Sequence, residues 1–272
     1  MAAVVALGAF GSIIGSFLNV VVYRVPRGMS IVSPGSACGA CGHEIRWYDN
    51  IPLISWLALR GRCRDCGARI SVRYPLVELA GAAFFVVVAL FFAPAVFLAP
   101  TAVAAAAAAL ELVAFLYLAA ISLALAVIDA ETRRLPDAIV LPAYAVGAVL
   151  LTLSAGLGAD LPRLGSAAVG AGAMVAVYLL LAVLRPGGMG MGDVKLAGVL
   201  GLFAGWLGWG PLVVAGIGGF LLGGLFGVAL LIAGHGRRTA IAYGPWMIAG
   251  AWVGILFGDR IATAYLALFG LT

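Results

Sequence analysis

Two acidic residues stand out because each borders a long apolar segment. Asp193 lies in Gly190-Met191-Gly192-Asp193, directly before an apolar run, and Asp129 ends another apolar run after Ile128. Charge beside hydrocarbon is costly, so an acid in such a place is a functional candidate. When two carboxylates lie close together, one keeps its proton while the other accepts a proton from water, and that water can attack a peptide carbonyl. Asp129 and Asp193 are therefore a candidate pair for acid–base hydrolysis.

Each candidate acid also has a structural interpretation. Asp193 follows Gly192 and could be the N-cap of the helix that begins there. Asp129 could form an ion pair with Arg133, one helical turn further on. Asp137 is predicted to be the N-cap of the next helix and to lie outside the pair. The sequence places the two candidate acids at one end of their segments and leaves open whether they meet.

The composition predicts the elements that must position these acids. The chain has 272 residues, of which 64% are hydrophobic and 10% charged. This is typical of an all-α polytopic membrane protein. Eight apolar segments of about 20 residues, the length that crosses a bilayer, are predicted at 2–23, 76–99, 102–128, 138–157, 163–184, 194–210, 211–234 and 244–270.

The basic residues predict an orientation. With eight spans and the N-terminus outside, 14 of the 16 Lys and Arg residues fall in loops on one side, and only Arg163 and Arg260 fall on the other. The positive-inside rule makes the richer side cytoplasmic, and both candidate acids lie on that side. The basic residues are thus topology signals and do not predict nucleic-acid binding.

The first loop contains all four cysteines, in Cys38-Gly39-Ala40-Cys41 and Cys63-Arg64-Asp65-Cys66. Two Cys-x-x-Cys pairs at this separation predict a structural Zn²⁺ site with four thiolate ligands. Two disulfides are the alternative, which a reducing cytoplasm disfavours. The predicted division of the chain is a first transmembrane helix (1–23), a cytoplasmic zinc-binding loop domain (24–75) and a transmembrane helical bundle (76–272) that carries both candidate acids.

Three further features have open interpretations. Glu78 is predicted to be a first-turn acid of the second span, stabilised by the helix dipole. Glu111 lies deep in the third span and has no partner that the sequence identifies. The aromatic run Trp47–Trp56 is predicted to pack the first loop against the bilayer surface, with the neighbouring arginines facing lipid phosphates.

Several motifs together resemble the type IV prepilin leader peptidases, which are bifunctional prepilin peptidases and N-methyltransferases of the Gly-x-Gly-Asp type. The resemblance covers nearly the whole chain, although Gly39 stands where the family often has proline. The matching stretches include Gly15–Arg24, Arg46–Pro52, Gly61–Cys63, Arg73–Glu78, Ile128–Asp137, Gly190–Lys195 and Tyr243–Pro245, together with both cysteine pairs.

The resemblance implies a function. Asp129 and Asp193 would be the catalytic aspartates, and the substrates would be type IV prepilins or pseudopilins of a pilus or secretion system. The enzyme would remove their short basic leader at the cytoplasmic face of the bacterial inner membrane. It would then methylate the new N-terminus from S-adenosylmethionine, a cofactor to which the sequence ties no residue.

Two other functions are compatible with the sequence. Asp129 and Asp193 could carry a proton or cation in a small transporter, since broken, glycine-rich backbone beside an acid is also a transporter feature. Such a protein should place its site near the bilayer midplane and contain an internal repeat, neither of which the sequence indicates. The third possibility is a zinc-bearing scaffold of a secretion machine, which would tolerate replacement of either aspartate.

Overall fold

The protein is a bundle of long helices. The computed structural model describes residues 1–185, 188–234 and 242–270, and 77% of the chain is helical. The helices are α1 (Ala2–Arg24), α2 (Ile54–Ala58), α3 (Arg73–Phe97), α4 (Ala102–Thr132), α5 (Asp137–Gly158), α6 (Pro162–Leu184), α7 (Met191–Leu207), α8 (Trp209–Ile232) and α9 (Gly244–Ala267). Within these residues there is no β-strand.

The predicted all-α polytopic fold is confirmed. Seven of the described helices are long and apolar enough to cross a bilayer. The remaining long helix, α7, has 17 residues and a length of about 26 Å. The break between the sixth and seventh predicted segments falls at Gly208, whose φ of 132° interrupts the helix, and not at residue 210.

Local sequence explains where α4 and α5 begin and end. Thr101 caps α4 by accepting a hydrogen bond from the Ala104 N–H at 3.1 Å. Arg133 ends α4 in the left-handed conformation, with a φ of 52°. Pro136 then caps α5, so that Asp137 is the first helical residue and not the predicted N-cap.

Close packing of glycines fixes α7 against α6. A Cβ atom on Gly170 would lie 2.5 Å from the carbonyl oxygen of Gly201, and one on Gly205 would lie 2.6 Å from the carbonyl oxygen of Ser166. Small residues of this kind let backbones approach within a membrane, where helix association depends on packing. The helix that carries Asp193 therefore has a tightly defined position.

A partly buried ion pair anchors the other end of α7. Glu111 accepts hydrogen bonds from Arg163 at 2.8 and 3.2 Å and from the Trp206 indole N–H at 2.9 Å. Arg163 also donates to the Trp206 carbonyl oxygen at 3.1 Å. Glu111, for which the sequence identified no partner, thus joins α4, α6 and α7 at the end of the bundle opposite Asp129 and Asp193.

The glycine contact between α6 and α7 is testable. Gly201→Ala should lower the thermal unfolding midpoint of the purified protein in detergent, since the added methyl meets the α6 backbone and overpacking costs about 1–3 kcal/mol. The matched control is Gly172→Ala on α6, where a Cβ atom would meet nothing within 4 Å. Equal midpoints for the two variants would contradict this packing.

Candidate active site and metal centre

A cavity of about 500 Å³ lies at the end of the bundle where α1 and α4 end and α5 and α7 begin. It brings both candidate acids to one place. Its lining residues are Val25, Pro26, Asp129, Arg133, Arg134, Leu135, Pro136, Asp137, Gly190, Gly192 and Asp193.

Asp129 is held in the last turn of α4 and is 4% exposed. Its Oδ2 atom accepts a hydrogen bond from the Gly244 N–H at 2.9 Å, which ties α4 to the start of α9. Gly244 is required there, because a Cβ atom would lie 2.8 Å from the same carboxylate oxygen. The alternative ion pair with Arg133 is absent among the described residues, and only the Arg133 backbone N–H bonds to Asp129, at its carbonyl oxygen.

Asp193 is the third residue of α7 and not its N-cap, which is Gly190. Its Oδ2 atom accepts a hydrogen bond from the Gly190 N–H at 3.1 Å. The acid thus organises its own Gly-x-Gly-Asp turn, and a carboxylate in the first turn of a helix is favoured by the helix dipole. Asp193 is half-buried, and its approach is flanked by two glycines without side chains.

Asp137 lines the same cavity but has a different environment. Its carboxylate is 53% exposed and pairs with Lys195 Nζ at 2.8 and 2.9 Å. An exposed ion pair of this kind contributes about 0–1 kcal/mol. Asp137 therefore connects the starts of α5 and α7 at the rim, outside the pair of buried acids.

Tyr243 is a residue of this region that chemical reasoning on the sequence missed, although it belongs to the Tyr243-Gly244-Pro245 motif. Its hydroxyl is buried and has no hydrogen-bond partner among the residues that the structure describes. Burial raises the pKa of Tyr243, with smaller contributions from Tyr178 and Asp193. The Tyr243 hydroxyl beside Gly244 therefore stays protonated and can donate a hydrogen bond.

The four cysteines form one cluster. Their Sγ atoms all lie within 4.8 Å of one another, and those of Cys38 and Cys66 are 3.8 Å apart. A tetrahedral zinc site with Zn–S bonds of about 2.3 Å requires S···S separations of about 3.8 Å. Four thiols with no other ligand in the cluster fit a closed, structural Zn²⁺ site.

Both cysteine pairs have the same backbone geometry. Each ends in a left-handed glycine, Gly42 with a φ of 72° and Gly67 with a φ of 71°, which turns the chain back after the second cysteine. The backbone N–H groups of Cys41 and Ala40 lower the pKa of Cys38 to about 6. This turn therefore stabilises the thiolate form that a metal requires.

Ion pairs join the two halves of the first loop. Arg64, within the second cysteine pair, bonds both carboxylate oxygens of Asp49 at 2.7 to 3.0 Å, and Arg46 bonds Asp65 at 3.0 Å. The Arg64 guanidinium holds the pKa of Asp49 below its usual value. This contribution to loop stability is thus present at neutral pH and is lost as the pH falls through that lowered pKa.

The loop also contacts the bundle through Glu78. Glu78 lies in the second turn of α3, is 8% exposed, and accepts a hydrogen bond from the Leu53 N–H at 2.7 Å. The prediction of a first-turn acid interacting with the dipole of its own helix was wrong, because α3 begins at Arg73. Trp47 of the aromatic run is 81% exposed, and its contact with a bilayer stays a prediction.

Comparisons with known proteins match two parts of the chain to family models. Residues 9–92 match the bacterial peptidase A24 N-terminal domain, and residues 116–232 match the type IV leader peptidase family. No solved structure matches the chain.

Similar curated proteins are called prepilin leader peptidase/N-methyltransferase. The chain is 37% identical to the protein of Pseudomonas putida and 36% identical to that of Pseudomonas aeruginosa, in each case over 96% of this chain and 92% of the relative. It is 40% identical to the Myxococcus xanthus protein over 74% of this chain and 56% of the relative.

The cysteine cluster yields a prediction about metal content. Protein purified under reducing conditions should contain about one zinc per chain, as a closed four-thiolate site requires. Cys63→Ser should lose most of this zinc and increase proteolysis of the first loop, while the helical bundle stays folded by circular dichroism. Two disulfides and no metal in the reduced protein would refute the site.

Proposed function

The chain belongs to the type IV leader peptidase family, as its motifs predicted, and we propose that it is a membrane aspartic endopeptidase and N-methyltransferase. Its substrates are type IV prepilins or pseudopilins, whose short basic leader it removes. It is a multi-pass protein of the bacterial inner membrane. Its N-terminus lies outside and its active site faces the cytoplasm, in agreement with the distribution of Lys and Arg.

The observation that carries this proposal is the meeting of Asp129 and Asp193 at one cavity. Two neighbouring carboxyl groups share one proton, because ionising both costs repulsion. The ionised partner takes a proton from water, and the protonated partner polarises the scissile carbonyl. The tetrahedral intermediate then collapses as the leaving amine accepts a proton.

The surroundings of the pair suit an extended peptide substrate. Gly190 and Gly192 line the cavity and lack side chains, so a substrate backbone can come close to the acids. Tyr243 contributes a buried, protonated hydroxyl next to Gly244. We assign to it a hydrogen bond that positions substrate near the pair.

The first loop supplies the second half of the proposed function. Cys38, Cys41, Cys63 and Cys66 hold one Zn²⁺, which orders a loop too small to fold on its own hydrophobic core. When bound, S-adenosylmethionine supplies the methyl group. The loop and the peptidase cavity lie at the same end of the bundle, since Val25 and Pro26 at the loop's start line the cavity.

The two alternative functions are less well supported. A transporter should place its charged groups near the bilayer midplane, whereas Asp129 and Asp193 lie at the ends of α4 and α7. A scaffold has no use for one buried and one half-buried acid beside a cavity. A catalytic role of Asp129 also explains why residue 244 is glycine, because the absence of a side chain there leaves room for the Asp129 carboxylate.

The catalytic pair is tested by isosteric replacement. Asp129→Asn and Asp193→Asn should each abolish leader cleavage of a co-expressed prepilin, because Asn cannot act as a general base. The double variant should be no worse than either single variant, since the two residues act as one unit. Asp137→Asn, which removes only an exposed ion pair, should retain most activity. Substantial cleavage by Asp193→Asn would show that the acids are wrongly assigned.

The hydrogen bond between Gly244 and Asp129 is tested by adding a single methyl group. Gly244→Ala should reduce kcat for leader cleavage by about tenfold or more, because the methyl displaces the carboxylate and small misplacements of reacting groups are costly. Gly224→Ala on α8 is the control, since a Cβ atom there would meet nothing within 4 Å. Wild-type cleavage by Gly244→Ala would contradict the role of Asp129.

A further inference from the structure

Asn19 carries an unused hydrogen-bond acceptor. The residue is 4% exposed, and its Nδ2 atom donates to the carbonyl oxygens of Gly15 and Tyr74 at 3.3 and 3.2 Å. Reversing the amide would set its oxygen against these two carbonyl oxygens, so the orientation is fixed. Its Oδ1 atom is buried and has no partner among the described residues. Such a group is costly unless something donates to it.

Arg73 carries an unused donor at the same level of the bundle. It precedes Tyr74, the residue that bonds Asn19, at the start of α3. One terminal nitrogen donates to Glu131 Oε1 at 2.6 Å, while its Nε atom is buried without a partner in the part of the chain that the structure describes. A guanidinium N–H in this situation is suited to a carboxylate.

Glu78 adds a carboxylate to the same region, which is the junction of α1 and α3. It lies one helical turn beyond Tyr74, and helical side chains lean towards the N-terminus of their helix, which here means towards Tyr74. The helices are close at this point, because a Cβ atom on Gly15 would lie 2.7 Å from the Glu78 Cα atom. Leu53 of the first loop uses Oε2 of Glu78, which leaves Oε1 for another donor.

The three side chains are complementary to a free α-amino acid group. Its ammonium needs acceptors, which Asn19 Oδ1 and Glu78 provide, and its carboxylate needs a cationic donor, which Arg73 Nε provides. We propose that the junction of α1 and α3 beneath the first loop binds the amino-acid end of the methyl donor S-adenosylmethionine. This inference rests on the proposed methyltransferase function and assigns residues to it.

The junction is connected to the helix that carries Asp129. Arg73 pairs with Glu131, which lies two residues after Asp129 in the last turn of α4. Asp129 and the residue that pairs with Arg73 thus lie on one helical turn.

The test is a comparison of two ligands that cannot transfer a methyl group to the enzyme's substrate. S-adenosylhomocysteine has the amino-acid end, and 5′-methylthioadenosine lacks it. Calorimetry on the zinc-loaded full chain in detergent should give at least about tenfold tighter binding of S-adenosylhomocysteine, since hydrogen bonds to charged groups are worth that factor.

The variants Asn19→Ala, Glu78→Gln and Arg73→Lys should each lose most of this preference. Arg73→Lys retains the positive charge that pairs with Glu131 and removes the Nε donor. Binding of 5′-methylthioadenosine should change by less than about twofold, because the three side chains contact only the amino-acid end, which this compound lacks. Ser154→Ala is the matched control, since it removes a buried hydrogen bond of 2.9 Å to Ala107 elsewhere in the bundle, and it should keep the preference.

The outcomes separate this inference from the proposed function. If the wild-type protein binds neither compound, the methyltransferase function fails and the donor site fails with it. If it binds both equally, or if all three variants keep the preference, the amino-acid site is overturned while the methyltransferase stands. Variants that keep the preference but raise KM for a cleaved prepilin peptide would show that the junction binds the pilin amine instead.

Discussion

The hydrogen bond from the Gly244 backbone to the Asp129 carboxylate is the contact on which the arrangement of the acids depends. It joins the end of α4 to the beginning of α9, which are far apart in sequence. The Asp129 side chain is almost fully buried, so its position cannot be set by solvent. The absence of a side chain at residue 244 is part of the same constraint, because any larger residue would occupy the place of the carboxylate.

The position of Asp193 depends on contacts at both ends of α7. At the cavity, its carboxylate bonds the backbone N–H of Gly190. Along the helix, Gly201 and Gly205 pack against the α6 backbone, and at the far end Glu111, Arg163 and Trp206 form a closed network. Removing an ion pair from water is costly unless its groups are well hydrogen-bonded. In this partly buried pair, the indole N–H and the backbone carbonyl oxygen of Trp206 supply additional hydrogen bonds. The end of α7 that carries Asp193 can thus be glycine-rich because the rest of the helix is held by its neighbours.

The sequence predicted the fold more completely than the site. Long apolar segments locate helices to within a few residues, since a span needs a minimum length of hydrocarbon. The cysteine pairs predicted a cluster because their spacing sets the geometry locally. The interpretation of Glu78 was wrong, and Glu111 was left without a partner, for the opposite reason. Their partners, Leu53 and Arg163, lie on other elements, so no local sequence pattern identifies them. Tyr243 was missed as a chemical group because tyrosine is common in membrane helices, and only burial without a partner distinguishes it.

One helical turn at the end of α4 relates the two proposed centres. Residues two apart on a helix are turned by about 200° around its axis, so Asp129 and Glu131 project from opposite faces. Asp129 faces α9 and the peptidase cavity, whereas Glu131 bonds Arg73 on α3. This turn is stabilised by Thr132, which bonds the Ile128 carbonyl oxygen at 2.8 Å, and it ends at the left-handed Arg133. Because the turn is short and well bonded, a displacement of one centre must displace the other. In the proposed enzyme, the end of a single helix therefore holds the cleavage site and the methyl-donor site in a fixed spatial relation.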